Sequence, residues 1–191
     1  QYAVKELSKC MANPSVGAMK KLKRVARYLK GAPRYILKYA YQSKPEGLSA
    51  WADTDFAGCQ ITRKSTSGGI IMHGGHVIKS WSTNQAVIAL SSGEAEYYGL
   101  VKAASVALGV KSISEDLGMR FPGKICIKAD ASAAIGIANR VGIGKVRHIE
   151  VNQLWLQEKV YGGEIEIVKV RSDENMADAL TKALDSRGIQ S

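Results

Sequence analysis

The sequence predicts an α/β domain: a five-stranded mixed sheet flanked by helices, with a short helical N-terminal extension. Three observations carry that prediction. Two strand-like segments flank Gly74-Gly75, a strong hairpin signal, so the early strands pair antiparallel. Later strands alternate with helical stretches, which implies parallel pairing. Residues 42–47 carry Ser, Lys, Pro, Glu and Gly and read as a linker that sets a helical N-terminal piece apart from the rest.

The elements follow in chain order. Residues 18–38 hold Lys20, Lys21, Lys23, Arg24, Arg27, Lys30, Arg34 and Lys38, with Met19, Leu22, Val25, Ala26 and Leu29 at helical spacing. This is an amphipathic basic helix, ended by Gly31 and Pro33. It either tracks phosphates or shows a solvated face to water. The piece up to residue 46 is too short to hold a core of its own.

Residues 48–54 read as a strand with Trp51 and aliphatic neighbours. Residues 67–73 and 76–82 form the hairpin arms. Residues 94–108 are Ala-rich and helical. Residues 124–130 (KICIKAD) alternate as a strand, and 131–139 make a short helix. Residues 146–161 read as a longer amphipathic helix, 164–170 as a strand, and 174–183 as a helix.

The bulk properties bound the function. With 191 residues the chain suits one full domain plus an appendage. Hydrophobic residues are 46% and charged residues 23%, an ordinary globular balance. No apolar run is long enough to cross a bilayer, and no signal-peptide pattern stands at the start. The first residue is Gln1, which reads as a piece of a longer polypeptide. Cys10, Cys59 and Cys126 are scattered and odd in number, which argues against a disulfide framework and against zinc and for reduced intracellular thiols. The formal net charge of +10 fits a polyanionic partner, of which nucleic acid is the usual one.

The acids carry the chemistry. Asp53 and Asp130 each end a predicted strand. If those strands are parallel neighbours, both carboxylates stand at the carboxyl edge of the sheet, where open α/β folds bind ligands. Each Asp alone is more often a cap or turn former, but apolar flanks (Ala50, Trp51, Ala52; Ile125, Ile127, Ala129) favour the paired reading. In LSSGEAEYYGL, Ser91 and Glu94 have capping-box spacing, which gives Glu94 a local duty. Glu96 lies about 200° further round the helix and is free for other work. Glu96 is preferred, with Glu94 as the alternative. Asp178 either faces water or faces the sheet edge, and the pattern leaves that open.

A set of carboxylates suits magnesium, a hard cation that takes oxygen ligands and keeps several waters. Two ions about 3.5–4 Å apart can activate a water and stabilise a leaving 3′ oxygen in an in-line displacement. No His or Cys cluster suggests zinc, and no nucleophile elbow or phosphate-binding loop is present.

The ordered runs ADTDFAG, RKSTSGG, SWSTNQAVIALSSGEAEYYGL, KADASAAI, RHIEVNQLWLQEKV and ADALTK resemble the ribonuclease H domain of copia-type retrotransposon Pol polyproteins, from Trp51 to Lys182. The N-terminal stretch (YAVKELSK to KKLKRVARYLKGAPRY) is similar to the C-terminal end of the preceding reverse transcriptase. The resemblance implies a ribonuclease H-like fold. It implies a C-terminal remnant of reverse transcriptase over 1–46, a ribonuclease H domain over 47–185 and a tail over 186–191. It implies cleavage of the RNA strand of RNA–DNA hybrids during reverse transcription, with two Mg2+ ions, for which Mn2+ can substitute. The catalytic and metal-ligating acids fall on Asp53, Glu96, Asp130 and Asp178. The implied partners are the hybrid and the rest of the polyprotein, without a membrane, in an intracellular, cytoplasmic setting that includes virus-like particles. A catalytically weak nucleic-acid-binding module is the alternative.

The chain departs from the family pattern at Gly93, where relatives usually have Thr, at Ala131, where many have Asn, and at Leu154, where many have a second His. These departures touch substrate contacts or local folding more than metal ligation. For recognising the 2′-hydroxyl, the small polar groups Ser92 and Ser132 stand beside the acids in sequence. Ser91 stands there too, but helix capping accounts for it. Lys64, in the polar basic loop 62–66, and Arg147 with His148, after Lys145, are the candidate substrate-backbone contacts.

Overall fold

The computed structural model describes residues 1–142, 144, 149 and 153–183. Five strands form one sheet: β1 (Leu48–Asp55), β2 (Thr66–His73), β3 (His76–Asn84), β4 (Ile125–Ala129) and β5 (Ile165–Lys169). Their spatial order is β3-β2-β1-β4-β5. β1, β2 and β3 pair antiparallel, while β4 joins β1 and β5 joins β4 in parallel. This antiparallel meander extended by two parallel strands is the ribonuclease H-like arrangement that the motifs imply. The tight turn between β2 and β3 rests on Gly74, whose φ of +60° lies in the left-handed region that favours glycine.

One face of the sheet carries the core. Leu48, Ala50, Ala52, Ile71, Ile125, Ile127 and Ile165 are buried there against Tyr97, Leu100, Ala103, Ala104 and Ala107. Those five residues lie on α3 (Ser92–Asp116), which runs eight residues beyond the end expected from its Ala-rich stretch. α4 (Ser132–Ala138) and α5 (Trp155–Tyr161) complete the layer through Ala134, Ile137 and Leu156. Alanine dominates the α3 side, so helix and sheet approach closely. Gly99 faces Thr54 Oγ1 so tightly that a Cβ there would collide with it.

Of the helix expected over 146–161, Trp155–Tyr161 is helical with Leu154 as its N-cap, while residues 146–148 and 150–152 lie outside the described residues. No helix spans 174–183. Two 3-10 turns, Ser172–Glu174 and Asp178–Leu180, stand there instead. Asn175 explains the break. Its Nδ2 donates to Ala52 O (2.9 Å) and its Oδ1 accepts from Ala177 N (3.1 Å). A buried side chain that bonds β1 and the local backbone competes with helical bonding at that point.

The N-terminal piece comprises α1 (Tyr2–Ser8) and α2 (Val16–Gly31). Ser15 caps α2, its Oγ accepting from Ala18 N. The helix stops at the expected Gly31, and of its residues only Ala18 is buried. α1 lies against β3 and the start of β2: Gln1 Nε2 donates to Ser80 Oγ (2.8 Å) and Lys5 Nζ to Thr66 Oγ1 (2.6 Å). The following linker holds the hairpin tip through Gln42, which donates to His73 O (2.9 Å) and accepts from Gly75 N (2.8 Å). No helix among the described residues is long and apolar enough to cross a membrane.

Candidate metal centre

The register of the parallel pair brings two acids together. Trp51 stands opposite Lys128, so two residues further on Asp53 and Asp130 emerge side by side at the carboxyl edge. The third acid comes from α3. Gly99 lets the helix lie close to β1 at Thr54, and Glu96, one turn earlier, is carried to the same edge. One carboxylate oxygen from each of Asp53, Glu96 and Asp130 lies within 4.8 Å of the others. Oxygens at this spacing suit a divalent cation, because a shared ion replaces mutual repulsion with coordination.

Glu94 is engaged elsewhere. Its backbone N–H bonds Ser91 Oγ (3.2 Å), and its carboxylate accepts from Leu90 N (2.7 Å) and from the Tyr98 hydroxyl (2.8 Å). The acid thus reaches back over the helix start, as the capping reading requires, although the amide it meets is Leu90 rather than that of the cap itself.

Asp178 is the fourth acid. It opens a 3-10 turn instead of lying inside a helix, and its Oδ1 pairs with Lys182 Nζ at 2.5 Å. It stands near enough to Asp53 for its charge to act on that carboxyl. It is not part of the 4.8 Å triad.

Two hydroxyls that the sequence did not place at the site hold the acids. Thr181, buried, donates to Asp53 Oδ2, and its Oγ1 also lies 3.0 Å from Asp178 O. Ser172 donates to Asp130 Oδ2 (2.6 Å). Both lie in the C-terminal turns, 128 and 42 residues respectively from Asp53 and Asp130, so only the fold reveals them. The presence of Thr181 in ADALTK was the one available signal.

The electrostatics record the crowding. Burial pushes the Glu96 carboxyl up to about 8, and the charges of Asp53 and Asp130 add to the rise. Asp53 is raised as well, by burial first and then by Asp178 and Asp130, against the lowering effect of the Thr181 bond. Lys182 is held above the usual lysine range by its bond to Asp178 and by the surrounding acids. A cluster that keeps a proton at neutral pH is one that a metal can discharge.

The substrate candidates separate. Ser92 is the exposed first residue of α3. Ser132, exposed at the start of α4, accepts from Lys169 Nζ (2.6 Å). Lys64 lies in the loop after β1, on the same edge as the acids, and makes no ion pair among the described residues. Arg147 and His148 lie outside the described residues.

No family model matches the chain. It is similar to the retrovirus-related Pol polyprotein from transposon RE1 of Arabidopsis thaliana, 32% identical over 190 residues, which is 99% of this chain and 13% of the relative. It is also similar to the Pol polyprotein from transposon TNT 1-94 of Nicotiana tabacum, 28% identical over 184 residues, 96% of this chain and 14% of the relative. The chain therefore spans about one seventh of the length of these relatives. Among solved structures it is similar to the N-terminal ribonuclease H domain of rv2228c from Mycobacterium tuberculosis, with 18% identity, a TM-score of 0.47, and coverage of 73% of this chain and 91% of that one.

Proposed function

We propose that this chain, whose homologues are retrovirus-related Pol polyproteins from transposons, cleaves the RNA strand of RNA–DNA hybrids as the ribonuclease H domain of such a polyprotein. The observation that carries the reading is the convergence of Asp53, Glu96 and Asp130 from two strands and a helix, with Asp178 alongside. In this reading residues 47–185 are the nuclease domain, 1–46 a C-terminal remnant of reverse transcriptase and 186–191 a tail.

Asp53, Glu96, Asp130 and Asp178 would hold two magnesium ions, and the hard, all-oxygen donor set fits that metal. When bound, magnesium supplies an activated water and charge stabilisation for an in-line displacement at the scissile phosphate. The water oxygen bonds to phosphorus as the P–O3′ bond breaks, leaving a 3′-hydroxyl and a 5′-phosphate. The chain's own residues prepare this. Thr181 and Ser172 fix the orientation of Asp53 and Asp130, and Glu96 gives up its proton as the site fills. In this reading Ser92 and Ser132 would meet 2′-hydroxyls in the wide minor groove, and Lys64, Arg147 and His148 would contact the substrate backbone.

The test is cleavage of an end-labelled RNA–DNA hybrid with and without magnesium, next to Asp130→Asn and to a DNA duplex of the same sequence. Magnesium-dependent cutting of the RNA strand alone, lost in Asp130→Asn, is expected. Hybrid binding without cutting by the unmodified chain would replace this reading with that of a binding module.

A further inference from the structure

Of the four acids, Asp178 has a cation of the chain's own attached to it. Lys182 Nζ sits 2.5 Å from Asp178 Oδ1, four residues further along the chain. Its charge also acts on Asp53, Asp130 and Glu96. The neighbouring basic groups are held differently: Lys169 Nζ bonds Ser132 Oγ, and Arg171 pairs with Asp173. Asp178 joins the edge through a turn of only three residues, Asp178–Leu180, whose far side is fixed by Thr181 on Asp53. The Lys182 ammonium therefore sits on a partly exposed acid, at the end of a side chain that is more than half exposed.

We propose that Lys182 is a built-in counter-ion that occupies Asp178 until a divalent cation displaces it, so that metal binding at Asp178 drives the ammonium out into solvent. The inference rests on the metal-site reading given above. The physics is competitive. An ammonium on Asp178 drains charge from the carboxylate and repels a metal ion brought beside it at about 2–3 Å, while four carboxylates without a cation repel one another. Because the lysine is exposed, the ion pair is weak and reversible, and displacing it is easy. Lys182 thus limits charge repulsion in the empty edge while leaving it open to metal. In this role it is a positioning residue, acting through Asp178.

The proposal is tested by Mn2+ binding to the full chain at low ionic strength, read by electron paramagnetic resonance of the free ion, with melting curves to verify folding. Lys182→Met is expected to lower the half-saturating Mn2+ concentration by about two- to fivefold, the scale of an exposed ion pair. Lys182→Gln repeats the measurement with a polar replacement. Lys169→Met removes the same charge from a lysine that does not touch Asp178 and is expected to leave binding unchanged. In an Asp178→Asn background, Lys182→Met is expected to have a clearly smaller effect, that of its charge on Asp53, Asp130 and Glu96 alone. Equal tightening by Lys169→Met, no tightening by either Lys182 variant, or tightening undiminished without Asp178 would each overturn the proposal. Failure of the unmodified chain to bind Mn2+ at all would instead overturn the metal-site reading, and the inference with it.

Discussion

Thr181 donates its hydroxyl hydrogen to Asp53 Oδ2, tying the last turn described to the first strand of the sheet across 128 residues. Both side chains are buried, Thr181 at 1% and Asp53 at 7% exposure, so neither finds water as a substitute. Thr181→Val keeps the shape and removes the donor. It is expected to destabilise the fold by about 1–3 kcal/mol, the cost of leaving a buried acceptor unsatisfied. It should also raise the Asp53 carboxyl further and so weaken metal binding at neutral pH. Thr181→Ser should restore both. Urea denaturation and Mn2+ titration of the two variants check this.

Glu96 makes the metal-free chain sensitive to pH. Its carboxyl stands at about 8 in the fold, raised by burial and by Asp53 and Asp130, against an ordinary value near 4.5. The folded state therefore holds a proton that the unfolded state has lost between those values. The stability that Glu96 contributes is fully present below about 4.5 and is lost as pH rises through about 8. Asp53, also raised, acts in the same direction. Melting temperatures in chelator should therefore fall between about pH 5 and about pH 8.5, and Glu96→Gln should flatten that fall. Added magnesium should release protons near neutral pH, measurable in a weakly buffered solution.

Two glutamates, two residues apart, should fail differently. Glu94 bonds Leu90 N and the Tyr98 hydroxyl, and its charge serves the helix start. Glu94→Ala is expected to cost about 0.5–2 kcal/mol of stability, as the removal of a cap does, with the cleavage that survives still magnesium-dependent. Glu96→Gln should leave the chain folded and abolish cleavage. Loss of cleavage in a folded Glu94 variant, with cleavage retained in Glu96→Gln, would reverse the assignment.

What the sequence disclosed follows from the range of its signals. Hairpin chemistry at Gly74, alternation in KICIKAD and the S-x-x-E spacing are local, and each element they announced is present. The pairing of Asp53 with Asp130 was legible because strand ends and parallel order together fix which residues meet. The expected helix at 174–183 failed because apolar spacing there met a competing long-range bond, Asn175 to Ala52 O, that no local pattern contains. Thr181, Ser172 and Lys182 were missed for the same reason, since their importance lies in partners far off in sequence or in a turn taken for a helix.

Gly68 is where that turn meets the sheet. A Cβ at this position would lie 2.8 Å from Leu180 Cβ, 2.8 Å from Thr181 Cγ2 and 3.1 Å from Ala177 O. The turn that carries Asp178 and Thr181 therefore packs directly on β2 because residue 68 has no side chain. Gly68→Ala should push the turn outward, at a cost of about 1–3 kcal/mol in overpacking. Cleavage should drop with it, because Asp178 and the Thr181 bond to Asp53 move together. The still tighter Gly69, which abuts Trp81, is the comparison. Gly69→Ala should destabilise the core while changing half-saturating Mn2+ less than Gly68→Ala does.

The basic helix α2 offers a prediction about the substrate. Lys20, Lys23 and Arg27 are spaced three and four apart, share one helical face and are exposed or half-exposed. If that face follows phosphates of a bound hybrid, each neutralised phosphate releases condensed counter-ions, and the logarithm of affinity falls linearly with the logarithm of salt. Replacing all three by Gln should then flatten that slope by about 0.9 for each phosphate that is no longer neutralised, the value known for duplex DNA. The metal centre is untouched by these changes, so cleavage at saturating hybrid should be preserved while the hybrid concentration needed rises. A slope unchanged from that of the unmodified chain would assign the face to solvent and leave the phosphates to other basic groups, Lys64 among them.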